Sequence, residues 1–168
     1  MSIEEQLDQL ERCAEAFAGS VAALDESLFL REVTSWTPRD IVAHLIGWNQ
    51  YVVRGAGQIL RGQLPFYDVD PGPDYSRINA ALVRACADTD RTVLLNSLAA
   101  STRELTVFLR AVDPDAWNRD YGVRHGGETL TVKSTVDDLI GDYDHHRVQL
   151  ENFRHVIEAP GKRLNQGR

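Results

Sequence analysis

The sequence predicts an all-α fold in which four long helices form a bundle. In four separate segments, apolar residues recur every three or four positions, the spacing of one buried helix face. No segment shows the sustained alternation of apolar and polar residues that is typical of a half-buried strand. The chain has 168 residues, of which 43% are hydrophobic and 26% charged, so one domain of this length can bury a sizeable core.

The first helix is predicted to begin close to the start of the chain. Ser2 and Glu5 have the spacing of a capping box, in which two side chains satisfy backbone N–H groups of the first turn. The apolar stripe behind this cap comprises Ile3, Leu7, Leu10, Ala14, Phe17, Val21 and Leu24. Because this segment is acidic and amphipathic, it does not have the pattern of a signal or transit peptide.

The second helix is predicted from the motif "WTPRD". Thr37 suits the N-cap, Asp40 suits the third helical position, and Trp36 could pack on Ile41 as a hydrophobic staple. The helical pattern continues to about Arg61. One face of this helix carries Ile41, His44, Leu45, Trp48 and Tyr51.

The third helix is predicted to be kinked or broken near residues 87–91. Helical spacing resumes at Tyr75, after a loop rich in Pro, Gly and Asp. Counted at about 100° per residue, the apolar stripe before this point faces roughly 160° away from the stripe after it. The early stripe is Ile78, Ala81, Leu82 and Ala85, and the later one is Leu94, Leu95, Leu98, Leu105, Leu109 and Val112.

The last helix follows a polar, Gly-containing loop. Thr131 is suited to cap a helix that runs from Val132 to about Ile157. We therefore predict one bundle domain over residues 1–157 and a flexible C-terminal tail over residues 158–168.

Composition limits the classes of partner and compartment. The net charge of −7 argues against a nucleic-acid partner and against an anionic membrane surface. No apolar run approaches the roughly 18 residues that a membrane span requires. Cys13 and Cys86 are too few for a disulfide framework, so the cytoplasm is the expected compartment.

The residues "DDLIGDYDHHR" on the last helix suggest a metal site. Asp142 and His146 are separated by one helical turn, so both side chains can reach one ion. His146 falls inside the buried stripe, Asp142 falls at its edge, and His145 falls on a flank. His44 on the second helix could supply the third ligand. Such a set suits zinc, nickel, iron or manganese and leaves coordination positions open.

A purely structural interpretation of the same residues also stays open. A buried histidine such as His44 is commonly a hydrogen-bonded core residue. Asp142 and His146 could form an intrahelical pair, which contributes roughly 0.2–0.5 kcal/mol. His125 and His155 are expected at the surface. The three tryptophans, Trp36, Trp48 and Trp117, are expected in the core or in the staple.

Two blocks of the sequence, "FLREVTSWTPRDIVAHLIGWNQY" and "TVDDLIGDYDHHRVQL", resemble the DinB/YfiT-like superfamily, and most of all its ClbS/DfsB-type four-helical bundle proteins. The resemblance extends over about Ile3 to Ile157. It implies a four-helix bundle with a metal site of three histidines, one from the helix-2 block and two from an H-x-x-x-H pair. His44 matches the first histidine and His146 the last. Asp142 stands where the family has the middle histidine, with His145 as an alternative ligand.

The resemblance implies a function but leaves two classes open. Members include metal-dependent, thiol-using transferases and isomerases, and a hydrolase that protects against a genotoxic metabolite. One hypothesis is therefore a divalent-metal-dependent transferase or hydrolase, with zinc or nickel favoured over iron or manganese. Its partner would be a small-molecule substrate or a thiol. The other is a bundle without metal that binds a small ligand or forms a homodimer.

Access to the site is predicted to depend on two polar loops. The loops Gln63–Asp74 and Asn118–Thr131 could shape the entrance, and Tyr143, Arg147 or His125 could orient a substrate. Spacing does not choose between these three side chains.

Overall fold

A computed structural model of the chain describes residues 2–158, and it confirms the predicted all-α bundle. The helices are α1 (Ile3–Ala22), α2 (Glu26–Phe29), α3 (Pro38–Ile59), α4 (Ser76–Ala85), α5 (Arg91–Arg110) and α6 (Val132–Glu158). The four long ones, α1, α3, α5 and α6, form the bundle. The predicted tail lies outside the described residues except for Glu158, which ends α6.

The predicted helix starts are present as hydrogen-bonded caps. Ser2 and Glu5 form the capping box of α1. At α3, Oδ2 of Asp40 accepts from the backbone N–H of Thr37 at 2.9 Å, so Asp is long enough to complete the box. The hydroxyl of Thr131 accepts from the N–H of Ser134 at 3.1 Å and caps α6. The second long helix, α3, ends at Ile59, two residues before the predicted end.

The predicted break in the third helix is confirmed. Helix α4 ends at Ala85 and α5 begins at Arg91, after Asp90, whose side chain accepts from the N–H of Val93 at 3.0 Å. Leu82 of α4 packs against Gly47 of α3. The later stripe packs into the bundle on α5, whereas Leu82 is the buried residue of the early stripe on α4, where Ala81 and Ala85 are exposed.

Each long helix packs on two of the others. Helix α3 packs most extensively on α5, and α1 packs most extensively on α6; α3 also contacts α6, and α1 contacts α5. The order around the bundle is therefore α1, α6, α3, α5, so α3 and α6 are neighbours, as predicted. Between α3, α5 and α6 the core holds a buried polar network of Asn49, Ser101, Thr102 and Tyr143.

A small hairpin in the loop before α6 was not predicted. Strand β1 (Arg124–His125) pairs antiparallel with β2 (Glu128–Thr129), and the turn residues Gly126 and Gly127 have φ values of 57° and 86°. Positive φ at both turn positions is the geometry of a tight hairpin, which favours glycine. None of the helices in residues 2–158 has the length and apolar character required to cross a lipid bilayer.

Candidate functional site

Helices α3 and α6 bring the three predicted ligands together. One donor atom from each of His44, Asp142 and His146 lies within 4.8 Å of the other two. Both imidazoles are buried, with 5% of His44 and 7% of His146 exposed. His145 is exposed and does not belong to this triad, as its position on the flank of the stripe indicated.

Asp142 is the centre of the triad, because each of its oxygens faces one imidazole. Nε2 of His44 donates to Oδ2 at 2.8 Å, and Nε2 of His146 lies 3.4 Å from Oδ1. Nδ1 of His146 donates to Oε1 of Gln149 at 3.0 Å. With its one proton on Nδ1, a neutral His146 would turn a bare nitrogen toward a carboxylate oxygen. Only a second proton or a cation makes that contact favourable.

The charges of the triad are strongly coupled. Burial alone would raise the pKa of Asp142, but its contacts with His146 and His44 outweigh burial and hold that pKa well below its usual value of 3.8. Burial would lower the pKa of His146, but the contact with Asp142 raises it above its usual value. The carboxylate is therefore ionised, and it favours a positive charge beside it.

The surroundings of the two histidines differ. Trp36 lies over both rings, with its centroid 5.0 Å from His44 and 6.1 Å from His146, so it shields the triad. The aromatic rings that Trp36 contacts are those of His44 and His146. Nδ1 of His44 is buried and has no hydrogen-bond partner among residues 2–158.

The donor set of the triad fits a divalent metal ion. Two imidazole nitrogens and one carboxylate are ligands that zinc, nickel, iron and manganese accept. The hydrogen bond from His146 to Gln149 leaves Nε2 as the free donor, which is how metal-binding histidines are usually oriented. His44 differs, because its Nδ1 has no hydrogen-bond partner among residues 2–158, whereas the outer nitrogen of a metal-binding histidine ordinarily donates to an oxygen.

The triad opens onto a cleft of about 570 Å³. His44 and Asp142 line it from the helices, and Trp48 lines it beside them, although the sequence suggested that Trp48 belongs to the core. Both predicted loops contribute to the opposite part of the lining. Asp68 comes from the first loop and His125 from the second.

The part of the cleft lining that comes from the two loops, here called the loop wall, is held by a carboxylate that the spacing of residues in the sequence did not indicate. Asp68 is buried, with 7% exposed, and its Oδ1 accepts from the hydroxyl of Tyr75 at 2.7 Å. Nδ1 of His125 lies 4.0 Å from the same oxygen. Tyr75 has φ of 53°, and Asp74 before it has φ of 49°; two consecutive non-glycine residues in this region carry backbone strain of the kind found at functional sites.

The structure corrects three expectations about single side chains. His125 was expected at the surface, but it is half-buried and lines the cleft. Tyr143 is fully buried and bonded to Asn49, so it does not reach the cleft. Arg147 pairs with acidic neighbours on its own helix. Of the three candidates for orienting a substrate, only His125 is in place.

The chain is similar to proteins of known family and fold. The family model described as the mycothiol maleylpyruvate isomerase N-terminal domain matches residues 10–150. The comparison with curated proteins finds no significant match.

Several solved structures share the fold, among them the following three. The colibactin self-resistance protein ClbS, in complex with a dsDNA, is 17% identical, with a TM-score of 0.74 over 91% of this chain and 95% of that one. DfsB, a sibling lethal factor precursor, is 16% identical, with a TM-score of 0.77 over 94% of this chain and 98% of that one. A mycothiol-dependent maleylpyruvate isomerase is 18% identical, with a TM-score of 0.73 over 89% of this chain but 61% of its own. Together with the family model, the fold of these neighbours confirms the resemblance to the DinB-like superfamily and its ClbS/DfsB-type members.

One expectation about partners is wrong. Net charge led us to exclude nucleic acid, yet the ClbS neighbour, with the same fold, is in complex with a dsDNA. Net charge averages over the whole surface, whereas binding depends on the charge of one local patch. A negative net charge therefore does not exclude a nucleic-acid partner.

Proposed function

Because the chain belongs to the family of the mycothiol maleylpyruvate isomerase N-terminal domain, within the DinB-like superfamily, we propose that it is a divalent-metal-dependent enzyme. His44, Asp142 and His146 would hold the metal, with zinc or nickel favoured and iron or manganese as alternatives. The observation that carries this proposal is the convergence of the three donor atoms, within 4.8 Å of one another, at a triad whose His44 and Asp142 line the cleft.

The proposed reaction class is a thiol-dependent transfer or a hydrolysis that acts on a small molecule, in detoxification or a stress response. When bound, a metal with three protein ligands supplies Lewis acidity, which activates a water molecule or a thiol near neutral pH. The residues of the chain would supply the rest. The cleft binds the substrate, Trp36 keeps solvent from the buried side of the triad, and His125 faces the substrate from the loop wall.

The alternative is a bundle without metal, in which the triad only fastens α3 to α6. The hydrogen bond of 2.8 Å between His44 and Asp142 favours this alternative, because it joins Nε2 and the carboxylate through protein atoms alone. The contact of 3.4 Å between His146 and Asp142 is compatible with it if His146 carries two protons. Such a bundle could hold a small ligand in the cleft without chemistry.

Metal content separates the two functions. We expect untagged protein, purified without chelator or reconstituted with zinc, nickel, iron or manganese, to contain about one ion per chain by elemental analysis. His44→Gln should lose most of this metal. His155→Gln, a change at an exposed histidine on α6, is the matched control and should retain it. If no ion is retained after reconstitution, the enzyme proposal fails and the bundle without metal is supported.

The homodimer and the cytoplasmic location stay predictions from the sequence.

A further inference from the structure

Acidic groups outnumber histidines in the lining of the cleft beside the triad, where the histidines are His44, His125 and His145. Asp68, Glu128 and Asp138 line it in addition to Asp142, and no Lys or Arg is among its lining residues within the described part of the chain. Asp142 is already matched by two histidines. The other three carboxylates give this end of the cleft a negative potential that the protein leaves largely unbalanced.

Asp68 is the buried member of this group and the best evidence for a ligand. Its side chain is 5% exposed, and Tyr75 occupies only Oδ1. No side chain or backbone group of residues 2–158 donates a hydrogen bond to Oδ2, and this oxygen is not among the fully buried polar atoms, so it is accessible from the cleft. A buried carboxylate is costly unless a donor or a cation compensates it. The open oxygen is therefore available to a positively charged occupant of the cleft.

The aromatic lining has the same preference. The ring of Trp48 lies 5.2 Å from that of Tyr67 and 5.5 Å from that of Tyr75, both edge to face, and all three residues line the cleft. Nε1 of Trp48 donates to Asn79 at 2.9 Å, which fixes the indole in place. Aromatic faces attract organic cations through their quadrupole, most strongly where water is excluded.

We propose that the cleft takes a small molecule bearing an amine or quaternary ammonium group, which binds beside Asp68 and Asp138 against the rings of Trp48, Tyr67 and Tyr75. This inference rests on the proposed function, because it names the substrate class of the same site. Among the described residues no Lys or Arg lines the cleft, so away from the triad it offers no guanidinium or ammonium group to a carboxylate or phosphate.

The titration of neighbouring groups supports the same polarity. Partial burial and the adjacent carboxylates of Asp137, Glu128 and Asp68 raise the pKa of Asp138. Nδ1 of His125 lies 4.0 Å from Oδ1 of Asp68. Glu128 and Asp138 form no ion pair with a basic side chain among residues 2–158, so they leave this part of the cleft anionic.

The test is a binding titration with three probes of similar size and different charge. Benzyltrimethylammonium, benzyl alcohol and benzoate are titrated into protein of measured metal content, with and without chelator, and followed by ¹H–¹⁵N chemical shifts. We expect the ammonium probe to bind about tenfold or more tightly than the other two, with shifts centred on residues 66–75 and 125–139.

Three charge-neutralising variants locate the site. Asp68→Asn keeps an acceptor for Tyr75 but removes the charge, and it should weaken ammonium binding about tenfold. Asp138→Asn should weaken ammonium binding without affecting folding, because Asp138 is exposed and accepts no hydrogen bond from residues 2–158. Asp70→Asn is the matched control, since Asp70 is 80% exposed, pairs with Arg77 and lies outside the cleft lining.

The inference is overturned if the three probes bind equally, or if Asp70→Asn weakens ammonium binding as much as the cleft variants do. It is also overturned if magnesium chloride alone reproduces the shifts and displaces the ammonium probe, which would make the site one for inorganic cations. Failure of the proposed metal-dependent function would give a different result. Wild-type protein would then retain no metal, but it would still bind the ammonium probe as expected.

Discussion

Nε2 of His44 lies 2.8 Å from Oδ2 of Asp142, although 98 residues of chain separate the two. The first residue belongs to α3 and the second to α6, so this contact joins neighbouring helices of the bundle at the wall of the cleft. The same carboxylate faces His146 one turn later on α6. Asp142 is therefore both the centre of the candidate metal site and a connection between helices.

Substitution of Asp142 tests its role as a ligand. Asp142→Ala should lower metal affinity about 10-fold or more, because a charged donor is lost, while the helix gains a residue of better propensity and stays folded. Asp142→His should keep or strengthen binding, since imidazole suits the same metals. Elemental analysis and circular dichroism measure the two outcomes.

His145→Ala is the control for these variants, because His145 is exposed and outside the triad. It should leave metal content unchanged. Loss of metal in His145→Ala together with retention in Asp142→Ala would mean that the ligand is His145.

The stability of metal-free protein should depend on pH through His146. Its pKa is raised in the folded state, so its stabilising contribution is fully present below the unfolded-state pKa of about 6.5 and is lost as pH rises through the folded pKa. Asp142, whose pKa is lowered, stays ionised throughout this range. His146→Gln should therefore destabilise chelated protein more at about pH 5.5 than at about pH 9, measured by urea unfolding.

Metal affinity should show the opposite trend, because a metal ion must displace the second proton from His146. Affinity should rise between about pH 5.5 and pH 8 in the wild type. An affinity independent of pH over this range would contradict the assignment of His146 as a ligand.

Gly55 should be required for the position of Tyr67 in the cleft. A Cβ at this position would lie 2.8 Å from Cζ of Tyr67, whose side chain is buried against Trp48. Gly55→Ala should therefore lower the free energy of unfolding by about 1–3 kcal/mol despite the better helix propensity of alanine. Chemical denaturation measures the change, and altered tryptophan fluorescence should accompany it.

Gly19→Ala is the matched change in an open position of α1. A Cβ at Gly19 would meet nothing within 4 Å. It should stabilise the protein by about 0.5–1 kcal/mol, because glycine costs that amount inside a helix. Equal effects of the two alanine substitutions would contradict the close packing of Tyr67 on α3.

The buried network in the core should contribute measurably to stability. The hydroxyl of Tyr143 donates to Oδ1 of Asn49 at 3.0 Å, and it has no access to solvent. Tyr143→Phe leaves that buried oxygen without its partner, so the free energy of unfolding should fall by about 1–3 kcal/mol. Tyr121→Phe, in the half-buried loop before β1, is the control and should change stability by less than about 0.5 kcal/mol.

Local sequence was sufficient for the helices and for the pairing of two ligands. Capping residues such as Thr37 and Asp40 act on backbone groups only a few residues away. The change in the direction of the apolar stripe near residues 87–91 is likewise a local pattern. Their effects follow from backbone hydrogen bonding and from about 3.6 residues per helical turn. For the same reason, the spacing of Asp142 and His146 placed both on one side of α6 before any contact was known.

The third ligand was predicted from burial, but its contact was decided by packing. His44 reaches Asp142 because α3 and α6 are neighbours around the bundle, and that order depends on how four apolar faces bury together. The position of Trp36 over both histidines likewise depends on the path of the chain before α3.

The sequence by itself determined the helical class, the limits of the long helices to within two residues and the residue types of the triad, because these depend on short-range spacing; the short α2 was not predicted. Only the tertiary structure decided the cleft. Asp68, Tyr75 and His125 come from loops without periodicity, and their positions result from contacts between segments far apart in the chain. A loop conformation is selected by such contacts rather than by local propensity, so the charge of the cleft became evident only when the chain was folded.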